Sequence, residues 1–412
     1  MVKSDPGIEI VAPNHISNYE ALSECITCRI TESLRSKITF AEYMDLALYH
    51  PQHGYYAAAP TKIGPTGDFI TSPHLGSDFG ELLATQFVQC WEILNRPDRF
   101  TLVEMGAGQG LLARDILQWL HQHHPELVAH LDYIIIERAA ALMAEQKLRL
   151  QTLTEQGMNI SWQTLAELPL NSITGCFFSN ELVDALPVHQ VVMQTGQLYE
   201  IYVALSEDEP TTQPFTERVD QLSTPAIAHY FERVGIDLTD RRYPDGYRTE
   251  VNLAALDWLT QVAERLRQGY VFTIDYGYTS ERYYNPMRST GTLQCYYRHH
   301  YHSNPYIHVG QQDITAHVDF TALQKQGEQC GLKTVGFTKQ ALFLMSLGLG
   351  DRIATVAQSQ ITDLTRMNEI LRRRDALQAL IDPTGMGGFG VLIQSKGVER
   401  NETLDGLCGE QV

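Results

Sequence analysis

A chain of 412 residues can bury a large apolar core, and it has room for one large domain with elaborations or for two domains. Its 49 acidic residues outnumber its 31 basic ones, and the resulting formal net charge of −18 argues against general nucleic-acid binding. With 43% hydrophobic and 19% charged residues, the composition is that of a soluble globular protein.

The seven cysteines are scattered along the chain, and an odd, dispersed set indicates a reducing compartment. Cys25 and Cys28 form a single C-x-x-C without a second pair or a nearby histidine, so we expect no metal site there. No run of 18 or more apolar residues occurs, so we expect no membrane span. The first 30 residues resemble neither a signal peptide nor an acid-poor transit peptide, which indicates a cytoplasmic protein.

The N-terminal quarter predicts helices on either side of a loop. Apolar residues at 19–49 have helical spacing, and the polar stretch 67–81 is not periodic and predicts a loop before a long amphipathic helix. Thr71 and Ser72 in that loop would lie near a ligand at the edge of a sheet. The alternative is a plain helix start, with Asp78 as the N-cap.

The most informative stretch is 100–116, FTLVEMGAGQGLLARDI. An apolar run leads into Glu104, glycines follow at Gly106, Gly108 and Gly110, and helical spacing comes next, which is typical of a nucleotide-binding first turn. The third glycine comes one residue earlier than in the dinucleotide fingerprint, and an acid precedes the first glycine by two residues. This pattern resembles the first motif of class I S-adenosylmethionine (SAM) methyltransferases. SAM carries a sulfonium cation and no phosphate. An acid at the end of the strand is therefore more compatible with SAM as the ligand than with a dinucleotide, whose pyrophosphate it would repel.

A partner acid occurs at the end of the next apolar run. Residues 131–138, LDYIIIER, predict a buried parallel strand that ends in Glu137. An acid at that position can accept hydrogen bonds from both ribose hydroxyls of a nucleoside, and each bond to a charged group contributes about 1.5–3 kcal/mol. The alternative is a solvated glutamate at a strand end.

Further strands alternate with helices. The runs 160–165, 173–179 and 270–274 predict a third, fourth and fifth strand, and this alternation predicts a parallel, doubly wound α/β sheet with ligands at its carboxyl edge. A final antiparallel pair at 333–339 and 390–395 completes the Rossmann-like arrangement of class I methyltransferases.

The segment 190–250 breaks this alternation with a hairpin and a charged, proline-containing stretch. A helix at 250–266 should end before Gly269, and another should begin within 313–320. We expect the following parts: a helical N-terminal extension with a cofactor-side loop at 1–95, the methyltransferase core at 96–189 and 251–396, an inserted substrate cap at 190–250, and a disordered tail at 397–412.

Six stretches occur in order along the chain: GDFITSPH (67–74), FGE (79–81), EMGAGQG (104–110), NELVDALPV (180–188), IDYGY (274–278) and DITAHVDF (313–320). Together they resemble the MidA family of SAM-dependent methyltransferases, whose mitochondrial members are complex I assembly factors. The resemblance implies a class I methyltransferase fold and protein-arginine methylation of the subunit that corresponds to the 49 kDa subunit of a complex I-like NAD(P)H dehydrogenase. Without a transit-peptide pattern, the chain looks like a bacterial member.

Arginine methylation requires a group that holds the guanidinium cation, aims one nitrogen and accepts a proton, because the free guanidinium is almost always protonated. Glu181 and Asp184 follow the fourth strand and are three residues apart, so they share a face of a turn. We expect them to be catalytic, and we expect Asn180 to bind the amino acid end of SAM. The alternative for Asn180 and Glu181 is a helix cap.

His317 is a further catalytic candidate, because a pair with Asp319 could relay a proton. Equally, Asp319 could belong to a helix cap, with His317 satisfied in the core. The histidines at 299, 300 and 302 lie in a tyrosine-rich stretch without paired acids, which favours a substrate-facing lid over a metal site.

Three other functions stay open at this point. The chain could be a small-molecule methyltransferase, a non-catalytic assembly factor that binds SAM for stability, or an NAD enzyme on the same fold, although the early third glycine argues against the last. The predicted partner is a protein substrate. The oligomeric state is open, and a homodimer is one option.

Overall fold

A twisted central sheet organises the part of the chain that the computed structural model describes, which is residues 13–58, 71–207, 214–298, 300–360, 363–399 and 403–410. The α-helices of these residues are α1 Pro13–Glu32, α2 Phe40–Tyr49, α3 Tyr55–Ala58, α4 Asp78–Ile93, α5 Leu111–His123, α6 Pro125–Val128, α7 Ala140–Glu155, α8 Ala226–Val234, α9 Leu253–Arg265, α10 Ser280–Tyr283, α11 Phe320–Gln329, α12 Gln340–Ser346, α13 Leu349–Ala357 and α14 Leu364–Ile381. The β-strands are β1 Lys37–Thr39, β2 Phe100–Met105, β3 Leu131–Ile136, β4 Asn159–Gln163, β5 Ile173–Asn180, β6 His189–Gln194, β7 Gln197–Leu205, β8 Phe215–Asp220, β9 Arg248–Val251, β10 Leu266–Asp275, β11 Gly277–Tyr278, β12 Gln294–Tyr297, β13 His300–His302, β14 Asp313–Thr315, β15 Val318–Asp319, β16 Lys333–Lys339 and β17 Gly390–Lys396.

Within the described residues, the central sheet has seven strands in the order β16-β17-β10-β5-β2-β3-β4. The five strands from β10 to β4 run parallel, whereas β17 is antiparallel to both β10 and β16. This confirms the predicted mixed, mostly parallel α/β sheet with a final antiparallel pair. Because parallel strands end at one edge, the residues that follow β2, β3, β5 and β10 lie together there.

Both faces of the central sheet are covered by helices, which is why its inner strands are continuous apolar runs rather than alternating ones. Helices α4, α5 and α14 contribute buried side chains to one core, and α9 and α11 contribute to the core on the opposite face. Strand β2 is buried along its whole length. Full burial of each large apolar side chain contributes about 1.5–3 kcal/mol, so these two cores fix the strand ends firmly.

A second sheet joins the N-terminal segment to the insertion after β5. Its strands follow the order β1-β7-β6-β9, with β8 beside β7. Strand β1 pairs with β7 from Lys37↔Ala204 to Thr39↔Tyr202, so the predicted extension at 1–95 and the predicted cap at 190–250 are parts of one structural unit. Helix α4, which also falls within 1–95, packs instead in the core of the central sheet.

The predicted end of the helix at 250–266 is confirmed to within one residue, but the role of Gly269 as its stop is wrong, and 313–320 does not begin as a helix. Helix α9 ends at Arg265, and Gly269 lies inside β10 with φ +135°, where a side chain would collide with the backbone oxygen of Gly175 on β5. The stretch 313–320 begins as strand β14, and helix α11 starts only at Phe320. Gly269 is therefore a close-packing glycine, because its strand approaches β5 too closely for a Cβ.

The expected disorder of the tail 397–412 is also wrong for its described part. Asp405–Glu410 form a 3-10 helix, and Leu404 and Leu407 are buried in the core beside α4. The backbone N–H of Gly406 donates a hydrogen bond of 2.9 Å to Oε1 of Gln86. Two buried leucines thus anchor a segment whose composition alone predicted disorder.

No helix of the described ranges is long and apolar enough to cross a membrane.

Candidate active site

The glycine turn after β2 adopts backbone angles that favour glycine. Gly106, Gly108 and Gly110 have φ values of +71°, +52° and +75°. The N–H of Gly106 donates a 2.9 Å hydrogen bond to the backbone oxygen of Ile136 on β3, and a Cβ on Gly106 would lie 2.7 Å from Leu182 Cδ1. The turn is therefore packed between the ends of two neighbouring strands, and its bare backbone faces a cavity.

That cavity, the first cavity, lies at the carboxyl edge of the central sheet. It is lined by Tyr49, Tyr56, Thr71, Pro73, His74, Glu104, Gly106, Ala107, Gly108, Gln109, Leu111, Leu112, Glu137, Ala139, Leu142, Asn180, Glu181, Leu182 and Ala185. All of the predicted cofactor-binding residues except Ser72 are among them.

Glu104 and Glu137 occupy adjacent strand ends in the first cavity. Oε2 of Glu104 accepts a 2.7 Å hydrogen bond from the hydroxyl of Tyr133, and burial raises the pKa of Glu104 to about 7. Oε2 of Glu137 accepts a 3.0 Å hydrogen bond from Gln146, and its Oε1 accepts one of 2.9 Å from the N–H of Ala139. Burial raises the pKa of Glu137 as well.

Gln146 is a supporting residue that the sequence analysis missed. Its side-chain amide donates hydrogen bonds to Glu137 and, over 2.8 Å, to the backbone oxygen of Gly108, while its oxygen accepts one from Trp162. It thereby ties the acid after β3 to the glycine turn after β2. Its only sequence signal is a helical position nine residues after Glu137, which is not distinctive.

The loop before α4 brings Thr71 and Ser72 to the site in different ways. The Thr71 hydroxyl lies 2.7 Å from Nδ1 of His74, and Nε2 of His74 lies 3.1 Å from Oε1 of Gln109, which holds Thr71 at the first cavity. Ser72 is fully buried, and its hydroxyl accepts a hydrogen bond from Gln340. Its backbone N–H donates to Oε1 of Glu181 over 3.3 Å, so Ser72 supports Glu181 and does not face the first cavity. Residues 67–70 of the motif lie outside the described residues.

Glu181 lies between two cavities in a strained conformation. Its φ of +52° is in the left-handed region, which costs a residue with a side chain about 1–2 kcal/mol. Its N–H bonds to the backbone oxygen of Ile274, and its Oε1 also accepts a 3.0 Å hydrogen bond from Asn180 Nδ2. Burial of the carboxyl group, together with the charge of Asp184, raises the pKa of Glu181 to about 8.

A second cavity, of about 910 Å³, shares Tyr56 and Glu181 with the first. It is lined by Tyr56, Glu181, Asp184, Tyr276, Gly277, Tyr278, Arg282, Tyr296, Asp313, Thr315, His317, Lys339, Ala341, Leu342, Pro383, Thr384, Gly385, Met386, Gly387, Gly388 and Phe389. No described residue of 190–250 lines either cavity, so the predicted cap role of that segment lacks support. Arg282 and Tyr296 of the second cavity belong instead to the stretch between β11 and β14.

Asp184 and Asp275 form a buried pair behind Glu181. The backbone N–H groups of Val183 and Asp184 donate to Oδ2 of Asp275 over 2.9 and 3.3 Å, which fixes the turn that carries Glu181 and Asp184. The hydroxyl of Tyr276 donates a 2.5 Å hydrogen bond to Oδ2 of Asp184. Burial raises the pKa of Asp184 to about 6 and that of Asp275 well above its usual range.

His317 and Asp319 do not form the predicted relay. Both carboxylate oxygens of Asp319 accept hydrogen bonds from the hydroxyl of Ser280, and Oδ1 also caps α11. His317 lines the second cavity, with its ring 5.2 Å from those of Tyr276 and Tyr278. Burial lowers the pKa of His317 to about 4. The capping alternative is therefore correct for Asp319, while Nδ1 of His317 has no hydrogen-bond partner among the described residues.

Asp313 and Tyr56 are site residues that the sequence analysis did not assign. Asp313 is buried, and its Oδ1 accepts a 2.9 Å hydrogen bond from the hydroxyl of Tyr56. Asp313 was placed at the start of a helix, because the short strand β14 has no periodic signal of its own. Membership of a motif was the available indication for Asp313.

Within the described residues, no group of three or more His, Cys, Asp or Glu side chains could hold a metal ion.

The first cavity fits the nucleoside and amino acid groups of SAM. Two strand-end acids, Glu104 and Glu137, line it beside the bare backbone of Gly108, where a Cβ would have no neighbouring atom of the described residues within 4 Å. Oδ1 of Asn180 is buried and has no hydrogen-bond partner within the described part of the chain, so it can accept one from a ligand's amino group.

Comparisons with known proteins agree with this geometry. The model of the Methyltransf_28 family, described as "Putative S-adenosyl-L-methionine-dependent methyltransferase", matches residues 82–338. The chain is 30% identical over 373 residues to Protein arginine methyltransferase NDUFAF7, mitochondrial, of Rattus norvegicus, which covers 85% of this chain and 79% of that protein. The homologue of Drosophila melanogaster is 29% identical over 395 residues, or 90% of this chain and 84% of that protein.

A crystal structure from Burkholderia thailandensis, bound to S-adenosyl-homocysteine, is similar to this chain over its full fold. The TM-score is 0.84 at 31% sequence identity, and the match covers 98% of each chain. The family match spans more than half of the chain, and the cofactor of the family is SAM. This chain therefore belongs to the Methyltransf_28 family of S-adenosyl-L-methionine-dependent methyltransferases.

Proposed function

We propose that this chain is a SAM-dependent protein-arginine N-methyltransferase, with SAM in the first cavity and the acceptor arginine in the second. The observation that carries the proposal is a set of three carboxyl groups in the second cavity. Glu181, Asp184 and Asp313 all line it, and Glu181 also lines the first cavity. The acceptor would thus meet the methyl donor at Glu181.

The charge of this cavity favours a cationic acceptor. The pKa of Glu181 is raised to about 8 and that of Asp184 to about 6, mainly because burial removes water from acids that lie close together. A guanidinium entering between them would replace the lost water with opposite charge and hydrogen-bond donors. Oδ1 of Asp184 is buried without a hydrogen-bond partner in the described structure, so it is ready to accept one of the five guanidinium N–H groups.

Aromatic rings give the second cavity a shape that suits a planar cation. Tyr56, Tyr276 and Tyr296 line it, and the ring of Phe389 lies 5.5 Å from that of Tyr276. A guanidinium can stack on such faces while its edge bonds to carboxylates, whereas the compact ammonium of lysine lacks a plane to stack. Tyr276 also fixes Asp184 through its hydroxyl.

The chain's own residues hold the acceptor and take its proton. A carboxylate fork at Glu181 and Asp184 localises positive charge on the nitrogens that do not react, which leaves the remaining nitrogen more nucleophilic. Bound SAM supplies the methyl group from its sulfonium. The reacting nitrogen loses one proton as the new N–C bond forms, and the raised pKa values of the two acids make them suitable acceptors.

The acceptor protein and the compartment are parts of the same proposal. The similar proteins from Rattus norvegicus and Drosophila melanogaster are named protein arginine methyltransferases, which supports a protein acceptor. The MidA resemblance supports the 49 kDa-type subunit of a complex I-like NAD(P)H dehydrogenase as that acceptor, modified during assembly. The dispersed cysteines support a cytoplasmic site of action.

The test uses purified protein, isotope-labelled SAM and arginine peptides. We expect arginine methylation by the wild type and a fall of about 100-fold in kcat/KM for Asp184→Asn, because one partner of a buried charge pair is removed. Asp184 does not line the first cavity, so S-adenosyl-homocysteine affinity should stay within about twofold of wild type. Glu126→Gln, an exposed acid on α6, is the control and should keep full activity. Transfer to lysine peptides or to metabolites alone would overturn the proposal.

A further inference from the structure

Two arginines lie against the ring of Tyr278, which lines the second cavity, and a lysine lines the same cavity. The guanidinium of Arg282 is centred 4.7 Å from the Tyr278 ring, and that of Arg288 is centred 4.6 Å from the same ring. Arg282 and Lys339 both line the second cavity. We name Arg282, Arg288 and Lys339 the cationic rim.

The cationic rim carries charge that the described part of the chain does not neutralise. None of its three members forms an ion pair with a described carboxylate. Among the described residues, the guanidinium of Arg288 donates to the backbone oxygens of Arg282 and Tyr283, and the ammonium of Lys339 donates to the backbone oxygen of Gly388. Burial lowers the pKa of Lys339, and repulsion by the charge of Arg282 lowers it further.

The same cavity is also lined by acids and by buried hydrogen-bonding atoms. Oδ1 of Asp184 and the hydroxyl of Thr315 are buried, and neither has a hydrogen-bond partner in the described structure. Both residues line the second cavity together with Arg282 and Lys339. A cavity lined by both acids and cations suits a ligand that carries both charges, because each group attracts the opposite charge and repels its own sign.

We propose that the cationic rim binds a carboxylate of the acceptor polypeptide close to the target arginine, so that an acidic neighbour selects the arginine to be methylated. This inference rests on the proposed function, and it adds the substrate class: arginine in an acidic sequence context. Since Arg282 is exposed and Lys339 is half-buried, the rim is accessible to a side chain that enters with the arginine.

The experiment measures kcat/KM on a peptide series. Each peptide has one arginine, blocked ends and a single glutamate at one of the three positions on either side, and a glutamine peptide is the reference. We expect at least one glutamate position to raise kcat/KM about three- to tenfold, mainly through KM, and we expect 0.5 M salt to remove most of this gain. A peptide with a free C-terminal carboxylate, and free arginine itself, separate a side-chain source of the carboxylate from a terminal one.

A charge-reversal variant of the cationic rim provides the decisive comparison. The Arg282→Glu variant should lose the preference for glutamate. It should instead prefer a peptide that carries lysine at the position where the wild type prefers glutamate. Arg96→Glu reverses a remote exposed charge that pairs with Glu92, and it should keep the glutamate preference. Equal kcat/KM for glutamate and glutamine peptides in the wild type, or a preference that survives Arg282→Glu, would overturn the inference. Absence of arginine methylation on every peptide would overturn the proposed function itself, and the inference with it.

Discussion

The backbone N–H of Ser72 donates a 3.3 Å hydrogen bond to Oε1 of Glu181, which joins two segments that are 109 residues apart. The same oxygen accepts a 3.0 Å hydrogen bond from Asn180, and Glu181 is held at φ +52°. The carboxyl group of Glu181, between the two cavities, is therefore held in place despite the free-energy costs of a strained backbone and of removal from water. Such strain is retained where the surrounding structure determines the conformation, and it is concentrated at active sites.

Replacing Glu181 by glutamine should stabilise the ligand-free protein at pH 8. The pKa of Glu181 is raised from 4.5 to about 8, so the folded state favours the protonated form. The stability it contributes is complete below pH 4.5 and is lost as the pH rises to about 8, whereas glutamine stays neutral. We expect Glu181→Gln to raise Tm by about 1–3 °C at pH 8 and to leave it unchanged at pH 4.5.

The control for this stability measurement is Glu126→Gln. Hydrogen bonds from its own backbone N–H and from His124 lower the pKa of Glu126, so this substitution should not raise Tm at pH 8. A Tm for Glu181→Gln that is no higher than wild type at pH 8, or a gain that is equally large at pH 4.5, would show that burial does not penalise this charge.

Acceptor binding should depend on the ionisation of the two acids in the second cavity. Arginine stays charged throughout the accessible pH range, so any change in affinity reports the protein. In the complex with S-adenosyl-homocysteine, which lacks the sulfonium charge, we expect arginine-peptide affinity to rise with pH in two steps near 6 and 8, which correspond to Asp184 and Glu181. Calorimetric titration across pH 5–9 measures this, with the step near 8 missing in Glu181→Gln. Affinity that falls as the pH rises would exclude a carboxylate site for a cation.

Alanine substitutions in the glycine turn can separate the effect of backbone strain on stability from the effect of the turn on cofactor binding. Alanine at Gly106 must adopt φ +71° and displace Leu182, and alanine at Gly108 must adopt φ +52° with open space around its Cβ. Each substitution costs about 1–2 kcal/mol of left-handed strain. We expect Gly106→Ala to have the lower Tm of the two, and we expect both to weaken S-adenosyl-homocysteine binding, as measured by calorimetry.

Gly157→Ala is the matched control for the glycine turn. Gly157 follows α7 with φ +91° and open space around an added Cβ, and it does not line the first cavity. It should lose stability to a similar extent as Gly108→Ala but keep its affinity for S-adenosyl-homocysteine. If Gly108→Ala bound this ligand as well as Gly157→Ala does, the turn would not contact the cofactor.

The C-terminal segment should contribute to stability. Leu404 is fully buried beside α4, and truncation of such a side chain costs about 2–5 kcal/mol. We expect this loss for Leu404→Ala in urea unfolding, and little change for Thr403→Ala, whose residue is exposed. An unfolding midpoint for Leu404→Ala equal to that of the wild type would mean that the segment does not dock in solution.

The sequence predicts the parts of this site that follow long apolar runs. The stretches 100–105 and 131–136 are continuous, mostly apolar runs, which predict buried parallel strands, so the positions of Glu104 and Glu137 at one sheet edge follow from general topology. The central sheet was predicted for the same reason. Glu181 and Asp184 were found because they follow a third such run, although nothing in the local pattern indicated the strained φ of Glu181.

The remainder depends on contacts between distant segments. The role of Asp313 depends on strand β14, which is three residues long and forms only because β12 lies beside it. The pairing of β1 with β7 joins residues that are 163 to 167 positions apart in sequence, from Thr39↔Tyr202 to Lys37↔Ala204, which no local pattern encodes. The same residues of 315–319 are compatible with a helix cap at Asp319 and with a catalytic pair of His317 and Asp319. The hydrogen bond from Ser280 to Asp319, which sequence alone does not reveal, distinguishes the two interpretations.

The most direct test of the central claim adds isotope-labelled SAM and purified protein to a lysate of cells that lack this gene, and identifies the labelled residue by mass spectrometry. We predict label on arginine of one protein, with an acidic residue nearby, and loss of that label with Asp184→Asn and Glu181→Gln but not with Glu126→Gln. Label on a metabolite or on another residue type, or equal labelling by all variants, would contradict the assignment of the second cavity to an arginine of a protein substrate.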